Sequence, residues 1–592
     1  MRPKTGDWEN LFSLSASAVA LLLSALTFAL RGHIHIPYTR LQYGFEHLPT
    51  AFLAIAVFIA VMNLLRLQLL KIPHLETKPT LFFLGGLTVI FAIYWISPLR
   101  AGGFTADDWE LLAAGSIRTL PLQHPDLSWY ALDSVDGNFR PLGTVLYAGY
   151  LLRWFGVAPF PFLLGVFVAN LLGSLVLFLI VREMGYSRLT AAAASILYIS
   201  RGITYTIHAW MAALGDSLVI LLCGLTTLLL LRANKRSGTA AVLYHLFAWG
   251  CFLLATLAKQ SAFVMPLIVA LLLVLRPGET VLPPRRQRVR NAAAGLIVYG
   301  GTAWYVYNHA RALTRGDTPY PVGLTWDAVL RTFSYVTWYF TTFYLPRGTV
   351  SALATDLLGL LILLGVYLAV RRMPQLLGER PRDVLFSVLS ALASVSLFMV
   401  LQTRSAPYYG SMAAFWMSVG LAILLTHLNP PTRESPPGRI ACFLLFVLAV
   451  LGYAEIRLKQ TAIIYSGGYI WGTLGMDTYR SEFHDLRRAL ETTQGAHTLV
   501  LEDFPDFHSE YPCMALLIDP AIQHILLYDS RSKSYLANDL HGARPHDDLT
   551  ALGDWRAYNW TSAISGEEAA AILAADSTVR LHPGAHGIEV NR

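Results

Sequence analysis

Runs of about 17–22 apolar residues recur from residue 11 to residue 454, separated by short polar turns. A bilayer core of about 30 Å is crossed by roughly 20 helical residues. Inside lipid every backbone polar group must find its partner within the segment, so a chain that repeats this length folds as a stack of crossing helices. Composition agrees: 55% of residues are hydrophobic and 14% charged, against about 25% charged in soluble chains. A soluble enzyme, a disordered scaffold and a disulfide-stapled secreted domain are excluded. The expected fold class is an all-α polytopic membrane protein with a small C-terminal α/β domain. About thirteen transmembrane helices fill residues 1–456, and the α/β domain fills residues 457–592.

The expected spans are roughly 11–30, 51–70, 80–98, 160–181, 189–206, 212–232, 240–258, 261–276, 292–309, 353–370, 384–402, 408–427 and 439–456. Arg2 and Lys4 precede the first run without a small-residue cleavage site, so the first helix is read as retained. The net charge of +7 comes from basic residues in short loops, which set orientation rather than recognise nucleic acid. With the N-terminus in the cytoplasm, one side collects Arg66 and Lys71, Arg182 and Arg188, Arg232 and Lys235, Arg285 to Arg290, and Arg371 to Arg382. This parity requires that residues 141–156 not cross; about 16 residues ending near Arg153 suit an amphipathic helix at the interface. Outer loops then cover 98–159 and 310–352, and the tail lies outside, which fits a bacterial inner membrane. The aromatic stretch TWDAVLRTFSYVTWYFTTFYLP suits a second interfacial helix.

In the tail, helical and strand patterns alternate, for example EFHDLRRALETT followed by HTLVLED. Asp503, Asp506 and His508 follow a strand, where a polar loop is the ordinary explanation. Asn559-Trp560-Thr561 fits a glycosylation pattern that is common by chance. Of four cysteines, Cys223, Cys251 and Cys442 lie in apolar runs and Cys513 is alone in the tail, with no metal-ligand spacing.

Chemistry concentrates on the expected outer side. Asp107 and Asp108, in GGFTADDWELLAAGS, are adjacent carboxylates at the membrane edge. An ionised carboxylate there can take a proton from a nucleophile or hold a cation. Equally, both can complement a helix N-terminus capped by Thr105. Arg140, before Pro141, suits a lipid phosphate or native headgroups. Lys259, in LATLAKQSAFVMP, and Arg404, in LQTRSAPYYGS, are basic residues on the side that the charge bias leaves poor in them. Each reads as a site cation or a headgroup anchor. Asp216 begins the sixth span and needs a partner; His208 lies just before it. Oxygen ligands from Asp107, Asp108 and Asp216 could together hold Mg²⁺ or Mn²⁺. No Walker loop, GxSxG or HExxH is present.

An acidic pair in a long outer loop, an Arg-Pro step into a helix ending Phe-Gly, and many spans before a C-terminal domain resemble the GT-C glycosyltransferases. The likeness is greatest to the protein O-mannosyltransferase branch and the lipid A aminoarabinose transferases. It covers roughly residues 81–428. It implies a polyprenyl-phosphate sugar donor, a lipid, glycan or protein acceptor, and transfer on the outer face. Asp107 matches the family's acidic residue, which implies a role as base; Asp108 stands where Glu is usual. Arg140-Pro141 resembles the family's basic-Pro step near the donor phosphate. Lys259 in LAKQSAFVMP resembles its phosphate-facing Lys turn. Arg404 with Tyr408 resembles its later Arg-x-x-Tyr turn, in a different order. Two spans precede the acidic loop where the family has one, and no WWDYG-like motif is present. A lipid-linked-sugar flippase and a non-catalytic protein of surface-glycan assembly are the rival classes. A flippase would want charges deep in the membrane on both sides.

Overall fold

Helices come first, as the apolar runs require. In the computed structural model, α1 is Gly6–Leu30, α2 Thr39–Leu69, α3 Thr80–Ala101, α4 Tyr147–Phe155, α5 Pro159–Glu183, α6 Arg188–Ile199 and α7 Tyr205–Ala209. They are followed by α8 Leu214–Asn234, α9 Gly238–Ala258, α10 Met265–Leu275, α11 Arg285–Leu313, α12 Trp326–Phe340, α13 Pro381–Ser396, α14 Ser411–His427 and α15 Arg439–Thr461. The structure describes residues 6–31, 39–69, 78–104, 108–109, 111–113, 142, 147–313, 323, 325–340, 357–365, 381–400, 407–427, 439–461, 476–493, 497–504, 510–519, 521–522, 524–538, 561–575, 577–584 and 587–591. Asp107, Arg140, Arg404, Asp506, His508 and Asn559 lie outside them.

Seven helices among the described residues are long and apolar enough to cross a membrane: Phe12–Leu30, Glu46–Leu64, Thr80–Arg100, Pro159–Glu183, Met211–Asn234, Gly238–Ala258 and Tyr408–Leu425. The protein is an integral membrane protein. The remaining expected spans are shorter, more polar or partly outside the described residues. The expected span 189–206 is interrupted: α6 stops at Ile199, and a 3₁₀ turn, Gly202–Thr204, and the short α7 follow. Its 12 residues rise about 18 Å. The chain then completes the crossing as irregular backbone, which membrane depth tolerates only inside protein. Residues 199–205 are buried accordingly.

α8 and α9, 21 residues each, form a hairpin about 31 Å long. One end of the bundle is held by basic residues. There Glu183 meets Lys235 at 3.0 Å and Arg232 at 3.4 Å. The buried Asp383 accepts from Tyr186 Oη at 2.8 Å and from the Gly278 amide at 3.0 Å. The opposite end carries the site residues. Five 3₁₀ segments lie toward that end: Gly202–Thr204, Met211–Ala213, Gln260–Val264, Leu397–Val400 and Pro407–Gly410.

Two expectations need correction. α12 does not simply lie on the surface as an interfacial helix. Trp326 is exposed, but Tyr335, Trp338 and Tyr339 are buried, and Tyr339 Oη meets Ser418 Oγ at 2.9 Å. The aromatic spacing that suits a headgroup layer serves here as a packing face. The last bundle helix also runs past residue 456. α15 continues to Thr461 because Glu455, Lys459 and Gln460 are buried among neighbouring helices.

The tail contains α16 Met476–Glu491, α17 Glu510–Ile518, α18 Gly566–Ala575 and six strands. These are β1 Thr498–Glu502, β2 His524–Asp529, β3 Ser534–Asn538, β4 Thr561–Ile564, β5 Thr578–Gly584 and β6 Gly587–Asn591. The sheet order is β4-β3-β2-β1-β5-β6, with β1 parallel to β2 and β5 and the outer pairings antiparallel. Side chains alternate across β1. Leu499 and Leu501 join a core with α16, α17, Trp109 and Phe162, while Val500 faces Leu573 of α18. One hydrophobic core therefore docks the tail onto the bundle.

Candidate active site

The α8–α9 hairpin sets the site's geometry. Asp216 lies in the first turn of α8, and Lys259 caps the C-terminus of α9. Two antiparallel helices of equal length bring these positions to the same end. Lys259 Nζ meets Asp216 Oδ2 at 2.5 Å, with side-chain exposures of 12% and 8%. Gly215 makes room for the approach, since a Cβ there would lie 3.0 Å from the Ala258 carbonyl oxygen. The ammonium sits 5.5 Å from the Tyr408 ring centroid and 6.0 Å from that of Tyr409, both in the Pro407–Gly410 turn. Trp210 stands edge-on to Tyr408 at 5.9 Å. A cation beside aromatic faces and one carboxylate, largely out of water, is held in a narrow range of positions.

Asp108 reaches the same helix terminus from the acidic loop. It is fully buried, and its Oδ1 accepts from the Ala212 amide at 2.8 Å. Ala212 belongs to the 3₁₀ turn that leads into α8, four residues before Asp216. The amide is one of the donors a helix start leaves without an intrahelical acceptor. Asp108 thus ties the acidic loop to α8, while Phe104 and Trp109 pack edge-on at 5.4 Å beside it.

His208 falls elsewhere. It is buried in α7, stacked on Trp95 at 3.8 Å, and its Nδ1 meets the Thr204 carbonyl oxygen at 2.7 Å. That is a core histidine. Lys259, Asp216, Tyr408 and Asp108 are therefore brought together, and His208 lies behind them. The described carboxylates do not fit a divalent cation: an ammonium meets Asp216, and Asp108 is buried against an amide. No group of three or more His, Cys, Asp or Glu among the described residues could hold a metal ion.

Sequence reading missed a second polar cluster at this end. Lys459 pairs with Glu455 at 3.1 Å and donates to the Gly202 carbonyl at 2.7 Å. Arg201 is buried and donates to the Leu197 and Leu448 carbonyls at 3.0 and 2.6 Å. Arg457 donates to Ser97 Oγ at 2.6 Å. The available signal was a charged i, i+4 pair continuing an apolar run, beyond the point where the last span was ended.

In the tail, Asp503 adopts a left-handed φ of 54° and accepts from the Ser530 amide at 2.8 Å. That hydrogen bond holds its carboxyl below the ordinary carboxylate range. It closes a turn between β1 and β2.

No family model matches the sequence, and no curated protein matches it. Among solved structures, the chain is similar to ArnT from Cupriavidus metallidurans bound to undecaprenyl phosphate. The identity is 12% and the TM-score 0.47, over 85% of this chain and 92% of that one. It is also similar to the archaeal oligosaccharyltransferase AglB from Archaeoglobus fulgidus, in complex with an inhibitory peptide and a dolichol-phosphate. That identity is 13% and the TM-score 0.44, over 74% of this chain. The chain spans 63% of the length of AglB. Both neighbours are GT-C enzymes, the class whose motifs the sequence resembles.

Proposed function

We propose that this protein is a glycosyltransferase of the outer membrane face, moving a monosaccharide from a polyprenyl-phosphate donor to an acceptor with inversion. One observation carries the reading. Three motifs far apart in sequence, those of Asp108, Lys259 and Tyr408, converge around the start of α8. In this reading the basic end of the bundle is cytoplasmic, as in a bacterial inner membrane, and the tail is outside.

The donor phosphate sits against Lys259, beside Tyr408, with Arg140 and Arg404 completing the cationic wall. Asp216 holds the ammonium charged and oriented before the donor arrives. Asp107 accepts the proton of the acceptor nucleophile as that atom bonds to the anomeric carbon. The sugar–phosphate bond breaks, and its electron pair leaves with polyprenyl phosphate. Stabilising the charge that develops there is commonly the largest catalytic contribution, and the base supplies about 10²–10⁴-fold. Asp108 acts differently from its neighbour: buried against Ala212, it positions the loop that presents Asp107.

The test uses purified protein in lipid with a panel of polyprenyl-phosphate monosaccharides, following both donor binding and release of polyprenyl phosphate. Release from one donor, reduced about 10²–10⁴-fold in Asp107→Asn, is the expected result. Full turnover in Asp107→Asn would refute the base. Binding of no donor would refute the class.

A further inference from the structure

A cavity of about 420 Å³ opens where the tail meets the acidic loop. One wall is Gly103, Phe104 and Trp109, which bracket position 107. The facing wall is α16, whose Arg480, His484, Arg487 and Glu491 recur at helical spacing on one exposed face. The opposite face of α16, with Tyr479, Leu486 and Leu490, is buried in the tail core. Phe483 stacks on Trp109 at 5.0 Å and fixes the width of the gap. Arg480 also contacts the Gly102 carbonyl at 3.4 Å, and Arg487 pairs with Glu491 at 3.0 Å. Two guanidiniums against one carboxylate leave the wall positive.

The remaining lining places the cavity at the membrane boundary. Val157 and Pro159 form its floor where the α5 span begins. Beside them Trp154, Phe155 and Phe160 are 69%, 52% and 51% exposed. Aromatic rings favour the headgroup layer. A positive wall above an aromatic lip is the environment of an anionic group on a lipid anchor, and arginine forks match phosphate oxygens.

We propose that this cavity binds the anionic, phosphate-bearing headgroup of a membrane amphiphile, and that this amphiphile is the acceptor. The inference rests on the transferase reading for the word acceptor, because the cavity wall carries the loop of Asp107. The tail is then the specificity element of the enzyme: it brings the basic stripe to the reacting loop.

The experiment measures binding to the full chain in phosphatidylcholine nanodiscs. The probes are dihexanoyl phosphatidic acid, dihexanoyl phosphatidylcholine and inorganic phosphate, with undecaprenyl phosphate bound in parallel. The phosphatidic acid should bind at least about tenfold more tightly than either control. Arg480→Gln/Arg487→Gln, both on the exposed face, should weaken it by about tenfold or more and leave undecaprenyl phosphate binding unchanged. Glu491→Gln, which removes the opposing carboxylate, should tighten it. Equal binding of inorganic phosphate would overturn the lipid headgroup in favour of a free anion. Unchanged affinity in the double variant, weakening in Glu491→Gln, or no binding of any probe would overturn the site. Failure of the transferase reading shows separately, as undecaprenyl phosphate binding that survives Lys259→Ala.

Discussion

Removing either member of the Lys259–Asp216 pair should cost far more stability than removing both. At 2.5 Å separation the gross attraction is roughly 7 kcal/mol at an effective dielectric constant of 20. Much of that offsets the cost of taking both ions out of water. With the side chains only 12% and 8% exposed, loss of one partner leaves a stranded charge and should cost about 3–5 kcal/mol. Asp216→Leu and Lys259→Met should each show this loss. The double variant, which replaces the pair with apolar groups of similar size, should lose no more than about 2 kcal/mol. The cycle is read by reversible unfolding in mixed micelles, and the coupling should exceed about 3 kcal/mol. If the two single losses sum to the double within about 0.5 kcal/mol, the pair behaves like an exposed one. The account of Lys259 as a pre-held cation would then be wrong.

Asp108→Asn keeps an oxygen for the Ala212 amide and should retain turnover within about threefold, whereas Asp108→Ala orphans a buried donor and should lower stability by about 1–3 kcal/mol; thermal unfolding with parallel kinetics checks both. Gly452→Ala would drive a Cβ into the Ser200 carbonyl of the neighbouring backbone, so stability should fall by about 2 kcal/mol or more, with α15 displaced from Gly202. Asp503 has a depressed folded-state pKa through its bond to Ser530. Its contribution to tail stability is therefore complete above about pH 4 and lost as pH falls through the depressed value. Thermal unfolding between about pH 5 and pH 2 should show this acid loss flattened in Asp503→Asn.

The crossing helices and the mixed helix–strand tail were legible because length and periodicity are local properties of the chain. Lys259 stood out as a cation on the wrong side of the charge bias, and Asp216 as an intramembrane carboxylate in want of a partner. Their pairing was also within reach. α8 and α9 have equal lengths about a three-residue turn, 235–237, so positions 216 and 259 must share an end. The burial of Asp108 was not legible. Adjacent acids read alike in sequence, and only the approach of Ala212, 104 residues away, gives one of them a structural role. The break after Ile199 was hidden for a related reason. Apolar residues continue through 3₁₀ turns as readily as through an α-helix, so hydropathy marks depth in the membrane but not the winding of the backbone. Arg201, Glu455 and Lys459 escaped because their partners are main-chain carbonyls and residues of distant helices.

The 3₁₀ segments at the site end have a mechanical consequence. A residue in a 3₁₀ turn advances about 2.0 Å along the axis, against about 1.5 Å in an α-helix. Rewinding Gln260–Val264 from one to the other shortens five residues by about 2.5 Å. Tightening or relaxing that turn moves Lys259 along the membrane normal by the length of a hydrogen bond. The long α9 and the basic-end contacts need not shift. The bundle thus joins a stiff cytoplasmic base to an axially compliant outer rim, and the compliance resides where a substrate must be gripped and let go.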